Sequence, residues 1–245
     1  TMRVCIIGKY PPIQGGVSVQ NFWLARSLAQ LGHEVHVVTN ANEVEPGFRI
    51  DLSPHYLDIP QESNIKVWTT EAFTDRYRYI PEANPFVSKL AARLAGVIES
   101  SDIEVVYAYY YEPYAVAAWM ACSWTGVPYV VRHAGSDIGR LIRTRDLHRT
   151  YVEVLRRASL VLASSHSKSY LTTIGVSPER LHPNPGFLFP WEYFKPNGRA
   201  FKRSELVGPN INPEIPFLGI YGKIGEPRGR FDLLRAVAQM KDRGQ

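Results

Sequence analysis

Cysteine is scarce in this chain of 245 residues, which has two. Cys5 and Cys122 stand far apart in apolar surroundings, without a CxxC partner or a histidine at ligand spacing. That pattern excludes a disulfide scaffold and leaves buried thiols in a reducing compartment as the expectation. Long hydrophobic runs are missing too. The longest, residues 115–122, falls well short of the ~18 apolar residues that cross a bilayer. The opening, residues 2–8, is too brief for the apolar core of a secretion signal. A cytoplasmic protein is expected, with peripheral contact at the inner face of a membrane left open.

Blocks of one charge are also absent. The net charge of +5 and the pI near 9.2 come from scattered residues, with local groupings at Arg140, Arg143, Arg145, His148 and Arg149 and at Arg156–Arg157. Such a balance fits a solvated basic face or attraction to a phosphate-bearing partner, and charge alone does not choose. There is no RRM-like aromatic motif, helix-turn-helix signature or zinc spacing, so nucleic acid is not an expected partner. There is no GxGxxG and no Walker Lys-Ser/Thr, which argues against a plain dinucleotide fold and a P-loop ATPase.

What is present is an alternation of short apolar runs with longer amphipathic ones. Residues 3–7 form an apolar run ending at Gly8, as in a buried parallel strand. A Gly/Pro-rich loop over 9–16 leads to a predicted helix over 17–31, with Leu24, Leu28 and Leu31 as its apolar stripe and Gly32 as its stop. A strand over 34–39 completes a βαβ unit. Residues 40–61 read as loop. Further strands are predicted over 65–70, 104–109, 129–132 and 160–163, with a brief step at 181–182. Further helices are predicted over 85–99, 113–124 (opening on Pro113), 146–158 and 167–174, the last stopped by Gly175. Residues 186–216 have linker composition, and a second strand and helix follow over 217–222 and 232–243. A lone strand and helix cannot bury their own apolar faces, so either they lean on the first domain or a partner chain or, as expected here, the chain is a fragment of a longer protein. The expected architecture is α/β: a Rossmann-like domain over 2–190 with a parallel sheet flanked by helices, a linker over 191–215, and over 216–245 the first strand-helix unit of an incomplete second Rossmann-like domain.

Three segments carry candidate chemistry. In Pro11-Pro12-Ile13-Gln14-Gly15-Gly16 the glycines let the backbone approach a ligand, and the following helix supplies free N–H groups and a positive dipole. A tight turn without a ligand is the alternative. His133-Ala134-Gly135-Ser136-Asp137 follows a strand at its carboxyl end, where open α/β sheets gather ligands. There His133 would donate to a hydroxyl or phosphate, while Ser136 and Asp137 are either polar handles or the cap of a helix. Lys223 and Arg228, flanked by Gly222 and Gly229, suit a diphosphate or are exposed surface cations. Tyr107, Tyr109, Tyr110, Tyr111 and Tyr114 crowd a strand end around Glu112. The first two read as packing residues, and the rest either pack or form a wall on which a sugar stacks.

Taken in order, the glycine pair, His133-x-Gly135, Asn184, Phe194-x-Pro196 and the late glycine-flanked cations resemble the GT-B glycosyltransferases of family 4. The resemblance spans nearly the whole chain. It implies a retaining transfer of a sugar from a nucleotide diphosphate donor to a glycan, lipid or small-molecule acceptor, in a cleft between two Rossmann-like domains. It also implies no cofactor and no obligatory metal. By the same resemblance Lys223 and Arg228 hold the donor diphosphate, Gly15 and Gly16 lie at the donor diphosphate or the acceptor, and His133 contacts the sugar or assists at the reacting centre. Ser136, Asp137, Tyr111, Glu112 and Asn184 contact the acceptor or the sugar. Two departures stand out: the late cations come as Lys then Arg where the family has Arg then Lys, and the family's Asn-Gly turn is Asn184-Pro185-Gly186. The family's Glu-x7-Glu pair of the second domain lies beyond the last residue, so the 245-residue chain alone is expected to transfer little sugar. Two other readings stay open: another GT-B-shaped sugar-nucleotide enzyme such as a 2-epimerase, and a non-catalytic module binding an anionic glycan or lipid headgroup.

Overall fold

The structure, a computed structural model, describes residues 1–50, 62–72, 86–188 and 229–243. The chain divides into two compact units, Thr1–Trp191 and Glu192–Gln245.

The first unit is built on one sheet of seven strands, all paired in parallel. These are β1 (Arg3–Ile7), β2 (Glu34–Thr39), β3 (Ile65–Thr69), β4 (Val105–Tyr109), β5 (Tyr129–Arg132), β6 (Leu160–Ala163) and β7 (Leu181–Pro183). Their spatial order is β3-β2-β1-β4-β5-β6-β7. The chain winds outward one way from β1 and then the other way from β4, which leaves a crevice at the carboxyl ends of that pair. The central strands are apolar on both faces, so their side chains divide between two cores. Cys5 and Ile7 join the larger core, while Ile6 between them joins the smaller.

Helix α1 (Gly16–Gln30) covers the smaller core through Ala25 and Ala29. On the opposite face α2 (Val87–Ser101), α3 (Val116–Thr125), α5 (Arg145–Arg157) and α6 (Ser165–Thr173) bury Leu90, Leu94, Ala118, Leu155 and Leu171. A short α4 (Gly135–Gly139) lies between β5 and α5. Each leucine at 0% exposure is worth about 1.5–3 kcal/mol of apolar burial. Both thiols are buried in the larger core, and burial raises the pKa of each, that of Cys122 to about 12. They are packing groups, not nucleophiles.

Most predicted elements lie within two residues of the observed ones, and three differ instructively. Leu31, expected on the buried stripe of α1, is 75% exposed at the helix end. The buried side of α1 instead carries Ser18, Gln20, Asn21 and Arg26 beside its alanines. Pro113 does not open a helix. It sits in a wide turn, Tyr111–Ala115, in which Glu112 is extended (φ −107°, ψ 123°), and α3 begins after it. The helix predicted over 167–174 starts two residues earlier, behind Ser164.

In the second unit the described residues hold α7 (Arg230–Asp242), the helix predicted over 232–243. Its Phe231, Leu234, Val237 and Met240 are all exposed. The strand predicted over 217–222 and most of the linker lie outside the described residues.

Candidate functional site

At the carboxyl ends of β4 and β5 lies a pocket of about 340 Å³, facing the start of α1. Its walls include Gly16 and Val17 from α1, Tyr109 from β4, Arg132 from β5, His133 to Gly135, and Asn184 with Gly186 and Phe187 beyond β7.

The α1 wall begins at Gly8, whose hydrogen faces the side chain of Asn21. A Cβ on Gly8 would meet Asn21 Nδ2 at 2.3 Å, so any larger residue would displace that side chain. Asn21 donates to the Lys9 carbonyl at 2.9 Å and thereby ties the glycine-rich loop to the helix. Gly15, at φ 124° and ψ 165°, turns the chain into α1 in a conformation that favours glycine. No side chain caps that end of the helix, so its first N–H groups open towards the pocket. Gly15 and Gly16 are exposed.

The far wall follows β7. Asn184 N–H donates to the Ala163 carbonyl at 2.9 Å, and Asn184 Oδ1 accepts from Gly186 N–H at 3.3 Å. Gln20 of α1 then grips Leu188 twice: its Oε1 accepts from Leu188 N–H at 2.8 Å and its Nε2 donates to the Leu188 carbonyl at 3.2 Å. The polar side of α1 therefore holds the segment that closes the pocket.

The floor is made by Arg132 and His133. Arg132 is 3% exposed, and its Nη2 donates to the Gly186 carbonyl at 2.5 Å. Its guanidinium stacks 4.6 Å from the Tyr109 ring centre. His133 is buried with both ring nitrogens engaged. Ser164 N–H can only donate, so Nε2 (3.4 Å away) accepts, and Nδ1 carries the proton towards the Ala134 carbonyl at 3.2 Å. Ser167 Oγ also lies 3.1 Å from Nε2. Burial, with Arg132 adding to it, holds the histidine pKa below its ordinary value, so the ring is neutral at pH 7.

Several residues expected at the site are placed otherwise. Tyr111 is not a ligand wall. It is fully buried and packs on Tyr151, because the turn after β4 points it into the larger core. Tyr114 is likewise buried, donating to Asn40 Oδ1 at 2.6 Å. Asp137 is a cap and not a sugar handle: at 0% exposure its Oδ2 accepts from Ala134 N–H at 2.9 Å and from Tyr111 N–H at 3.2 Å. Burial pushes its pKa up to about 7. Glu112 is half-buried outside the pocket, accepting from the Tyr151 hydroxyl at 3.1 Å, and its pKa is raised by burial. Ser136 Oγ lies 2.8 Å from the Tyr110 hydroxyl. Tyr110 itself holds φ 91°, a strained conformation for a tyrosine, at the rim of the crevice. Lys223 and Arg228 lie outside the described residues. Of the expected set, the pocket brings together Gly16, His133 and Asn184, with Gly15 beside it.

Sequence reasoning missed Arg132 and Gln20. A cation that ends an otherwise apolar strand was the available signal for Arg132. Gln20 gave none, since its partner is the backbone of Leu188, far along the chain.

A crevice at a topological switch point, with a helix N-terminus on one side and a buried cation on the other, defines a ligand-binding α/β domain. The Glycosyl transferase 4-like domain model matches residues 15–186, and the chain belongs to that family. A curated relative is N-acetyl-alpha-D-glucosaminyl L-malate synthase of Bacillus anthracis, 26% identical over 160 residues that make up 64% of this chain and 38% of that protein. The chain therefore spans well under half of that relative's length. Among solved structures, the UDP-GlcNAc 2-epimerase of Methanocaldococcus jannaschii matches with a TM-score of 0.50 and 14% identity, covering 74% of this chain and 45% of that one. A piece of sucrose-phosphate synthase from Thermosynechococcus elongatus matches with a TM-score of 0.50 and 17% identity, covering 79% of this chain and 93% of that one. At such identities both speak for the fold alone. The fold class is the Rossmann-like half of a GT-B protein. Among the described residues no helix is long and apolar enough to cross a membrane, and no cluster of potential metal ligands occurs.

Proposed function

We propose that this chain is the acceptor-side lobe, with the start of the donor-side lobe, of a glycosyltransferase that moves a sugar from a nucleotide diphosphate to an acceptor hydroxyl. In that reaction the bond from the anomeric carbon to the diphosphate oxygen breaks, and the acceptor oxygen takes its place. The leaving diphosphate gains charge as it departs, and fixed N–H groups and cations stabilise that charge without requiring a metal. In this reading the start of α1, at Gly15 and Gly16, meets the diphosphate, and Lys223 and Arg228 are the cations proposed to bind it. His133 and Asn184 stand beside the sugar, with Ser136 at the outer edge, and retention at the anomeric carbon is the expected outcome.

The observation that carries the proposal is the switch-point pocket, set in a chain whose family is that of glycosyltransferases. The name of the similar 2-epimerase makes uridine diphosphate sugars the first donors to test. The fold is also that of a 2-epimerase, so the fold by itself does not separate transfer from epimerisation.

The test joins this chain to a complete donor domain and supplies a panel of nucleotide sugars, with and without candidate acceptors, reading products by mass spectrometry and NMR. A glycosylated acceptor with the donor's anomeric configuration is expected. Epimerised nucleotide sugar formed without an acceptor would move the protein to the epimerases, and neither product with any donor would sink the proposal. The 245-residue chain alone is expected to transfer little. Robust turnover by it would remove the need for a second lobe.

A further inference from the structure

Among the described residues of the first unit, Arg26, Lys89 and Arg132 are buried or well shielded, and they are treated differently. Arg26, 4% exposed, pairs with Glu62 at 3.2 Å, and Lys89 pairs with Glu43 at 2.6 Å. Arg132 is as buried as Arg26, yet no ion pair among the described residues includes it. Its polar partners are the Gly186 carbonyl and the hydroxyl of Tyr107, its Nε is buried without a hydrogen-bond partner, and the Tyr109 ring covers one face. A guanidinium keeps its charge at every physiological pH, and a buried charge without a counter-charge is costly. Among the described residues no carboxylate meets that charge, which leaves it open to a ligand. The way in is the pocket, which Arg132 lines together with His133, Asn184 and the exposed ring of Phe187.

We infer that the pocket takes an oxyanion of the acceptor, a carboxylate or a phosphate, with Arg132 as its counter-charge. The inference rests on the reading just given, in which the donor's diphosphate is met at the start of α1 and by Lys223 and Arg228. That leaves Arg132 for a second anion, and only the substrate that receives the sugar remains to bring one. The planar fork of the guanidinium suits the two oxygens of such a group. His133, neutral and fully partnered, adds no competing charge beside it. An anionic acceptor would be drawn to the lobe that already carries its counter-charge, and an uncharged analogue of the same shape would leave Arg132 unmet.

The test follows the Nε–H resonance of Arg132 and the backbone amides of this chain, joined to a complete donor domain, by NMR, titrated with inorganic phosphate, with malonate, and with UDP, singly and together. Phosphate or malonate should shift the Arg132 signal. Arg132→Gln should weaken anion binding roughly tenfold or more, the worth of one charge-assisted contact. Arg132→Lys should recover part of the affinity, as a point charge without the fork. UDP should move amides at the start of α1, bind in the presence of saturating phosphate, and survive Arg132→Gln. Which of phosphate and malonate binds more tightly identifies the acceptor's group. The inference fails if neither anion binds, or if binding is unchanged in Arg132→Gln. It also fails if phosphate and UDP exclude one another and both are lost in the variant, for Arg132 would then serve the donor and the proposed function would stand. Anion binding through Arg132 with no response to UDP would overturn the donor reading and the acceptor assignment together. Should Arg132→Gln fail to fold, the wild-type competition and the lysine variant still decide.

Discussion

Helices α1 and α2 are each fifteen residues long and each follows a parallel strand, yet they bury opposite kinds of surface. Helix α2 buries Leu90, Ala91, Leu94, Val97 and Ile98, an apolar stripe at helical spacing. Helix α1 buries Ala25 and Ala29 but also Ser18, Gln20, Asn21 and Arg26. The polar groups are spent on backbone: Asn21 on the loop after β1, Gln20 on the segment after β7. Helix α2 packs the larger core, and α1 builds a wall of the pocket. A helix that builds a site gives up part of its apolar stripe to do so.

Each half of that contrast can be broken separately. The largest effect is expected in α2, where Leu94→Ala should cost about 2–5 kcal/mol of stability by leaving a cavity in the larger core. Urea unfolding measures this, and anion binding by the surviving folded protein should be unchanged. Gly8→Ala comes next. Its Cβ would be driven into Asn21, so a loss of about 1–3 kcal/mol is expected, together with weaker ligand binding as the loop is pushed off α1. Asn21→Ala in the same background should relieve the clash and restore part of the stability, but not the hold on the loop.

Gln20→Ala removes two hydrogen bonds to Leu188 and should cost about 1–2 kcal/mol, with faster amide exchange at Leu188. An equal rise in exchange throughout α2 would contradict the division between the helices. The smallest effect is on pH dependence. His133 has a depressed pKa, so the unfolded chain takes up a proton first and stability falls as pH drops below about 6.5. Asp137 acts in the opposite sense. With its pKa at about 7 the folded form keeps a proton that the unfolded form has lost, so its contribution is complete at low pH and disappears as pH rises through 7. Asp137→Asn should therefore flatten the decline in stability between about pH 4 and 7, read from melting temperatures.

The same contrast explains how much of the molecule is legible in its sequence. Strands buried on both faces announce themselves as apolar runs, and α2 by its period, so the α/β architecture follows from burial alone. Leu24, Leu28 and Leu31 suggested an ordinary stripe for α1, but the helix ends at Gln30 and Leu31 turns to solvent. Nothing local reveals that Gln20 and Asn21 face inward, because their partners are carbonyls and amides with no sequence signature. For Tyr111 and Asp137 the sequence left two readings open for a related reason. A strained turn at Tyr110 decides which way the tyrosines point, and Asp137 is consumed as a cap for Ala134 and Tyr111. The place of His133 was legible because it directly follows a strand, where a parallel sheet brings its loops to one edge, while Asn184 was marked only by the order of motifs.

The central claim is that one pocket, walled by the start of α1, the end of β5 and the segment after β7, receives the nucleotide-sugar reaction. Hydrogen exchange measured by mass spectrometry on this chain joined to a complete donor domain, with and without saturating UDP and phosphate, tests it most directly. Slower exchange at residues 16–18 and 184–188, with α2 unchanged, is the predicted result. Protection confined to residues remote from that edge of the sheet, or none in the first unit, would contradict it.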